Sequence, residues 1–183
     1  MKKVIYSCLA LALMAVPAAQ AQIYTMKDAT IGFFSDAVLE DIAATNAASQ
    51  GVVNFQEKSF SFRIPIKSFK FERELMQEHF NENYMESEKY PYGTFKGSIE
   101  GAFDIAKDGD YSVSAVGTLN IHGVDSQRTI PTTIHVSKGN IAIDSKFMVK
   151  LADHKIEIPT IVFQKIAEEV EVSVSSALVV YKK

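Results

Sequence analysis

Beyond its first two dozen positions, the chain alternates apolar and polar residues with a period of two. Phe60, Phe62, Ile64 and Ile66 are interleaved with Ser59, Ser61, Arg63, Pro65 and Lys67. Tyr111, Val113, Ala115, Gly117, Leu119 and Ile121 alternate with Ser112, Ser114, Thr118, Asn120 and His122. Three more runs follow: Ile130, Thr132, Ile134 and Val136; then Ile141, Ile143, Ser145, Phe147, Val149 and Leu151; then Val170, Val172, Val174, Leu178 and Val180. A strand points successive side chains to opposite faces, so each run predicts a strand with one apolar and one wet face. The segments TIGFFS, VLEDIAAT, VVNF and TFKGSIEG bring the expected total to roughly eight or nine strands.

Turn chemistry punctuates the runs. Lys107-Asp108-Gly109-Asp110 and Ser137-Lys138-Gly139-Asn140 place a glycine where a tight hairpin requires positive φ. His122-Gly123-Val124-Asp125-Ser126 forms a similar corner. One-sided alternation with short connections argues for antiparallel pairing in a meander. Closing such a sheet into a barrel removes its exposed edges. The fold expected is therefore all-β with a short helix: an eight-stranded antiparallel barrel.

Two stretches depart from alternation. In LMQEHFNENYMESEKYP, Met76, Phe80 and Tyr84 recur every fourth residue beside Leu75 and His79, while Glu74, Glu78 and Glu82 lie on other faces. The spacing predicts an amphipathic helix near 73–85 that lays its apolar stripe on one end of the barrel. It ends before Tyr90-Pro91, because the residue before a proline disfavours helical geometry. In DHKIEIPTIVFQKIAEE, Pro159 interrupts an apolar run, and a helical turn falls near residues 162–166.

The first 21 residues read differently. Lys2 and Lys3 precede the apolar run VIYSCLALALMAV, and Pro17 and Ala19-Gln20-Ala21 lead to a cut before Gln22. This is the layout of a secretory signal peptide, 1–21, ahead of a single domain, 22–183. Its removal deletes Cys8, the one cysteine of the chain, so the mature protein has neither a disulfide nor a thiol nucleophile. Loss of Lys2 and Lys3 from 19 basic residues leaves 17 against 22 acidic ones, a formal charge of −5. That balance, without a basic cluster, argues against nucleic acid and anionic membrane surfaces. With no further long apolar run, the mature chain is expected to be soluble, periplasmic or secreted, without stable membrane insertion. A homodimer is left open.

Candidate chemistry is sparse. His79, His122, His135 and His154 show neither HxH nor HxxxH spacing, which argues against a closed metal site. His79 with Glu78 or Glu82 could hold an ion only weakly. No GxSxG elbow or phosphate loop occurs. Glu86 with Glu88, and Glu168 with Glu169, read as solvated charge. No catalytic residue, metal or cofactor is expected. An alternative keeps His79 and a neighbouring Glu as acid and base on a lipid-like substrate. A third reading uses the barrel rim as a partner-binding surface.

The apolar face remains. An eight-stranded barrel is just wide enough to be filled by its own side chains or to hold one small ligand. Phe33, Phe60, Phe62, Phe95 and Phe147 could fill it, whereas small inward positions at Gly97, Ala115, Gly117 and Ser145 could leave room or let a strand bend. A long apolar chain burying about 500 Å² would gain about 12 kcal/mol by transfer, part of which ordering and association remove. The lining expected comprises Phe33, Phe60, Phe62, Ile64, Phe95, Leu119, Ile121, Phe147 and Val149, with Met76, Phe80 and Tyr84 closing one end.

LMQEHFNENYMESEKYPYGTFKG followed by GTLNIHGV, each after an alternating strand, resembles the YceI-like family. Leu75 to Phe80, Tyr90-Pro91 and Phe95 match that family's helix-containing segment between two barrel strands. Gly117, Leu119, His122, Gly123 and Val124 match its strand end. The resemblance runs from Ala29 to about Val180. It implies an exported, lipocalin-like barrel that binds a long isoprenoid, an isoprenoid quinone or another lipid along its axis. It supplies no signature site residue and no established catalysis.

Overall fold

The computed structural model describes residues 22–36, 41–158 and 167–182. The signal peptide and the helical turn expected near 162–166 lie outside the described residues. Within them, ten strand segments form one antiparallel sheet. In chain order they are β1 (Ile23–Ser35), β2 (Ile42–Asn46), β3 (Gln50–Asn54), β4 (Ser59–Pro65), β5 (Lys70–Phe71), β6 (Tyr92–Glu100), β7 (Gly109–Ile121), β8 (Val124–Ser137), β9 (Asn140–Lys150) and β10 (Glu169–Val180).

Pairing of β10 with β1 closes the sheet on itself. β2 and β3 continue one register along β1, with Ile31 opposite Asn46 and Ile23 opposite Asn54. They are one strand interrupted at 47–49. Asn46, fully buried, spans the interruption: its amide donates to the Pro65 carbonyl at 2.7 Å, and its side-chain oxygen accepts from the Ala48 N–H at 2.8 Å. β4 pairs with β3, and β5 pairs with β2, so these two also form one broken strand. The ten segments thus make eight staves, the number at which a barrel can enclose a narrow interior.

Alternation sorts the faces as expected. Val113, Ala115, Leu119, Ile130, Ile134, Val136, Ile141 and Ile143 are buried in the main apolar cluster. At the end of β10 the pattern breaks: Ser176 is buried, whereas Val180 is exposed. The Ser176 hydroxyl has its one proton within reach of two carbonyls, Ala177 at 2.8 Å and Lys27 at 3.2 Å, where the β1–β10 register shifts between Lys27 and Thr30.

The two hairpin turns containing His122-Gly123 and Lys138-Gly139 carry positive φ at all four residues, as a two-residue antiparallel turn requires. The turn expected at 107–110 differs. β6 ends at Glu100 and β7 begins at Gly109, and the longer connection lets Phe103 and Ile105 pack against the main cluster. Phe103 meets Phe55 edge-on at 5.6 Å, and Phe55 meets Tyr24 at 5.2 Å. These rings close the end of the barrel opposite the helix.

The four small inward positions divide into two pairs. Ala115 and Ser145 line the interior. Gly97 and Gly117 face each other across β6 and β7, where a Cβ at 97 would stand 2.0 Å from the Val116 carbonyl oxygen and one at 117 would stand 2.2 Å from that of Lys96. They allow close backbone approach and do not contribute room for a ligand. Gly97→Ala and Gly117→Ala should each destabilise by about 1–3 kcal/mol, because the obstruction is backbone that cannot rotate away. The double variant should fall short of additivity, since one strand separation relieves both. Urea denaturation followed by circular dichroism reads this out, and an unchanged midpoint in either single variant would contradict it.

Candidate functional site

The inward side chains leave a continuous cavity of about 480 Å³. All twelve residues expected at the site line it: Phe33, Phe60, Phe62, Ile64, Met76, Phe80, Tyr84, Phe95, Leu119, Ile121, Phe147 and Val149. Phe60, Phe95, Leu119 and Val149 are buried, and the other eight are half-buried. Phe60 stacks on Phe62 at 5.3 Å and meets Phe95 at 4.8 Å. These rings form part of the wall and leave the interior open.

One end of the cavity lies under the helical segment. Residues Glu74–His79 form helix α1, which continues as a wider π-helical turn at Phe80–Tyr84. The sequence spacing predicts about three uniform turns. The observed widening brings the Met85 N–H to the Phe80 carbonyl at 2.9 Å and the Ser87 N–H to the Asn81 carbonyl at 2.8 Å. Met85 is buried in consequence, a lid residue that four-residue spacing does not find. Phe80 is the aromatic centre of the lid: Phe33 stacks on it at 5.5 Å, Phe71 lies at 5.0 Å and Phe69 at 5.6 Å. Phe69 and Phe71 follow the strand β4 in a non-alternating stretch, so periodicity does not mark them either. Leu75, on the same helix, is exposed although it lines the cavity mouth.

Polar contacts fix the far end of the lid. His122, in the β7–β8 turn, places Nε2 2.8 Å from a Glu86 carboxylate oxygen, and Nδ1 donates to the His154 carbonyl at 3.2 Å. The Tyr90 ring meets His122 edge-on at 4.6 Å. A Cβ at Gly123 would stand 2.4 Å from that ring, so the glycine serves the packing as well as the turn. Glu88 pairs with Lys67, in the short turn Ile66–Ser68 after β4. The carboxylates Glu86 and Glu88 therefore have separate partners, and Glu168 and Glu169 are exposed.

His79 is exposed at the mouth, and Glu78 and Glu82 are exposed as well. Among the described residues no carboxylate lines the cavity, and no ion pair joins His79 to one. Burial raises the Tyr84 hydroxyl above its ordinary range, so this lining residue stays neutral. Among the described residues no group of three His, Cys, Asp or Glu side chains is arranged to hold a metal ion, and no helix is long and apolar enough to cross a membrane.

An antiparallel eight-stave barrel with an apolar interior under a helical lid is the class of protein defined here. The YceI-like domain matches residues 23–178, and the chain belongs to that family. A polyisoprenoid binding domain from Saccharophagus degradans implicated in plant cell wall breakdown shares its fold at TM-score 0.74 and 16% identity, over 86% of this chain and 98% of that one. Burkholderia cenocepacia BcnA superposes at TM-score 0.69 and 18% identity, over 81% of this chain and 95% of that one. A Campylobacter jejuni YCEI protein superposes at 0.57 and 18% identity, over the whole of both chains. No curated protein matches the sequence.

The histidine beneath the β7–β8 turn generates a pH prediction. His154 is fully buried, and neither ring nitrogen has a hydrogen-bond partner among the described residues. The backbone of Val124 and of Ile121 acts on the ring without reaching that geometry. Burial holds the imidazole below its ordinary value of 6.5, and the Arg128 charge acts in the same direction. Below that value the unfolded chain binds a proton that the folded chain resists, so acid favours unfolding. Stability should fall as pH drops below about 6.5 toward 5. His154→Phe should flatten this part of the profile, because it removes the group whose proton uptake differs between the two states. Urea midpoints across the pH series measure the effect, and equal slopes in the two proteins would rule out His154 as its source.

Proposed function

We propose that this protein is an exported, non-catalytic carrier that encloses one long apolar chain, of isoprenoid or other lipid character, in its barrel. The observation that carries the reading is the continuous apolar cavity of about 480 Å³, free of carboxylates among the described residues and capped by an aromatic-rich lid. Such an interior favours uncharged hydrocarbon, since burying an unpaired charge there is strongly unfavourable. The polyisoprenoid binding described for the Saccharophagus degradans relative supports the same ligand class. Export rests on the signal-peptide layout of residues 1–21, and it places the carrier in the periplasm or outside the cell. Intact mass of the secreted product should correspond to a chain starting at Gln22, and a retained leader would contradict export by this route.

Native mass spectrometry of protein gently purified from its own host should reveal a co-purifying amphiphile. Blocking the interior should abolish its capture. Val174 faces the cavity between Ser145 and Ile31 on the neighbouring strands, and it is half-buried. Val174→Phe should weaken binding of an apolar fluorophore by about tenfold or more, a loss near 1.4 kcal/mol, while circular dichroism and the melting temperature stay close to those of the parent. Undiminished binding in a folded Val174→Phe protein would place the ligand outside the barrel.

A further inference from the structure

The cavity wall is apolar except at a few places, and one of them lies where a hydroxyl is least expected. Thr132 on β8 and Ser145 on β9 are directly paired and both line the interior. Their hydroxyl oxygens are 2.7 Å apart. Along their own strands they are flanked by Ile130, Ile134, Ile143 and Phe147, and their register neighbours on β7 and β10 are Val113 and Val174. Ile134 and Ile143 belong to the main apolar cluster, whereas Val174 packs against the cluster under the lid. The pair is thus a polar point midway along an apolar tunnel. The other polar lining groups are differently placed: Arg73, His79 and Tyr84 belong to the lid segment, Thr94 lies near the start of β6, and the Ser35 hydroxyl accepts from the Ala167 N–H at 3.0 Å.

Counting protons shows what the pair lacks. Two hydroxyls carry two protons, and the one further partner is the Ile130 carbonyl, 3.3 Å from the Thr132 oxygen. If Thr132 donates to that carbonyl and Ser145 donates to Thr132, both protons are used and the Ser145 oxygen accepts nothing. If Thr132 donates to Ser145, the Ser145 proton points to no partner. Each arrangement leaves one hydrogen-bonding capacity free, as an acceptor in the first case and as a donor in the second. Filling a dry cavity with hydrocarbon alone would leave that capacity unmet, at a penalty that polar groups in low dielectric feel fully.

We propose that Thr132 and Ser145 anchor a neutral oxygen function of the ligand, a hydroxyl or a carbonyl, midway down the barrel. The ligand then lies polar end inward, with its hydrocarbon tail running to the lid and the exposed Leu75. Among the described residues no cationic side chain lines the cavity at this level, so a phosphate or carboxylate finds no counterion from them. The ligand class narrows to an uncharged, oxygen-bearing isoprenoid or lipid, an alcohol, phenol or quinone type. This inference rests on the apolar-chain reading above.

The test uses the full mature protein and two probes, geranylgeraniol and the hydrocarbon of the same skeleton, each displacing an apolar naphthylamine fluorophore. Thr132→Val and Ser145→Ala should each lower the alcohol-to-hydrocarbon affinity ratio by about fivefold, with the hydrocarbon affinity unchanged or improved. In the wild-type protein, a diazirine beside the hydroxyl should label β8 and β9, and one at the tail end should label residues 74–85. An unchanged ratio in both folded variants, or labelling of the lid by the hydroxyl-end diazirine, overturns the anchor and leaves chain binding intact. Failure of both probes to displace the fluorophore from the wild type overturns the chain-binding reading and the anchor with it.

Discussion

The pairing of β10 with β1 is the constraint on which the remainder of the molecule depends. It converts a ten-segment ladder into a ring, and a ring has no second sheet to cover its inner face. Every inward side chain must find its contacts across the lumen or leave a space. At eight staves the lumen lies at the limit where side chains either fill it or leave room for one slender ligand. Phe60, Phe62 and Phe95 stack along the wall, so the bulk that might have filled the centre lies flat against one side. The cavity follows from closure together with that stacking.

A ring also has two open ends, and they are sealed by different means. The deep end is sealed by strand residues and one connection: Tyr24, Phe55 and Phe103 contact one another in sequence, and the first is held within the ladder of β1. The other end is sealed by a segment inserted between β5 and β6. No residue of α1 is buried. Its hold on the barrel comes from Phe80 among Phe33, Phe69 and Phe71, from buried Met85, and from Glu86 reaching His122 at the rim.

Much of this was legible from residue order, and the reason is local. Alternation reports which way each strand residue faces, and closure fixes what that face meets. Nine residues chosen by that logic, and three more by helical spacing, accordingly line one cavity. What escaped was non-local or non-periodic. The π-helical widening moves Met85 under the lid by satisfying the Phe80 carbonyl five residues on, outside any four-residue spacing. Phe103 and Ile105 sit in a connection whose glycine signal suggested a tight turn. Gly97 and Gly117 are small because two backbones approach, and only the β6–β7 register reveals that they face each other. The contact between Glu86 and His122 joins a lid residue to a hairpin corner, and each by itself reads as solvated.

The unequal ends also determine where a ligand enters. Opening the deep end would separate aromatic rings anchored on paired strands, and with them part of the ladder that closes the ring. Opening the lid separates one short helical segment from a rim of phenylalanines and breaks two polar contacts, the Glu86–His122 hydrogen bond and the exposed Glu88–Lys67 ion pair, while all eight staves stay paired. Segments with few buried contacts open at lower free energy than the body of a fold. The exposed Leu75, on that segment and at the cavity mouth, offers an incoming chain its first apolar contact. Entry is therefore expected at the lid, from which a ligand anchored as proposed would reach Thr132 and Ser145 polar end first.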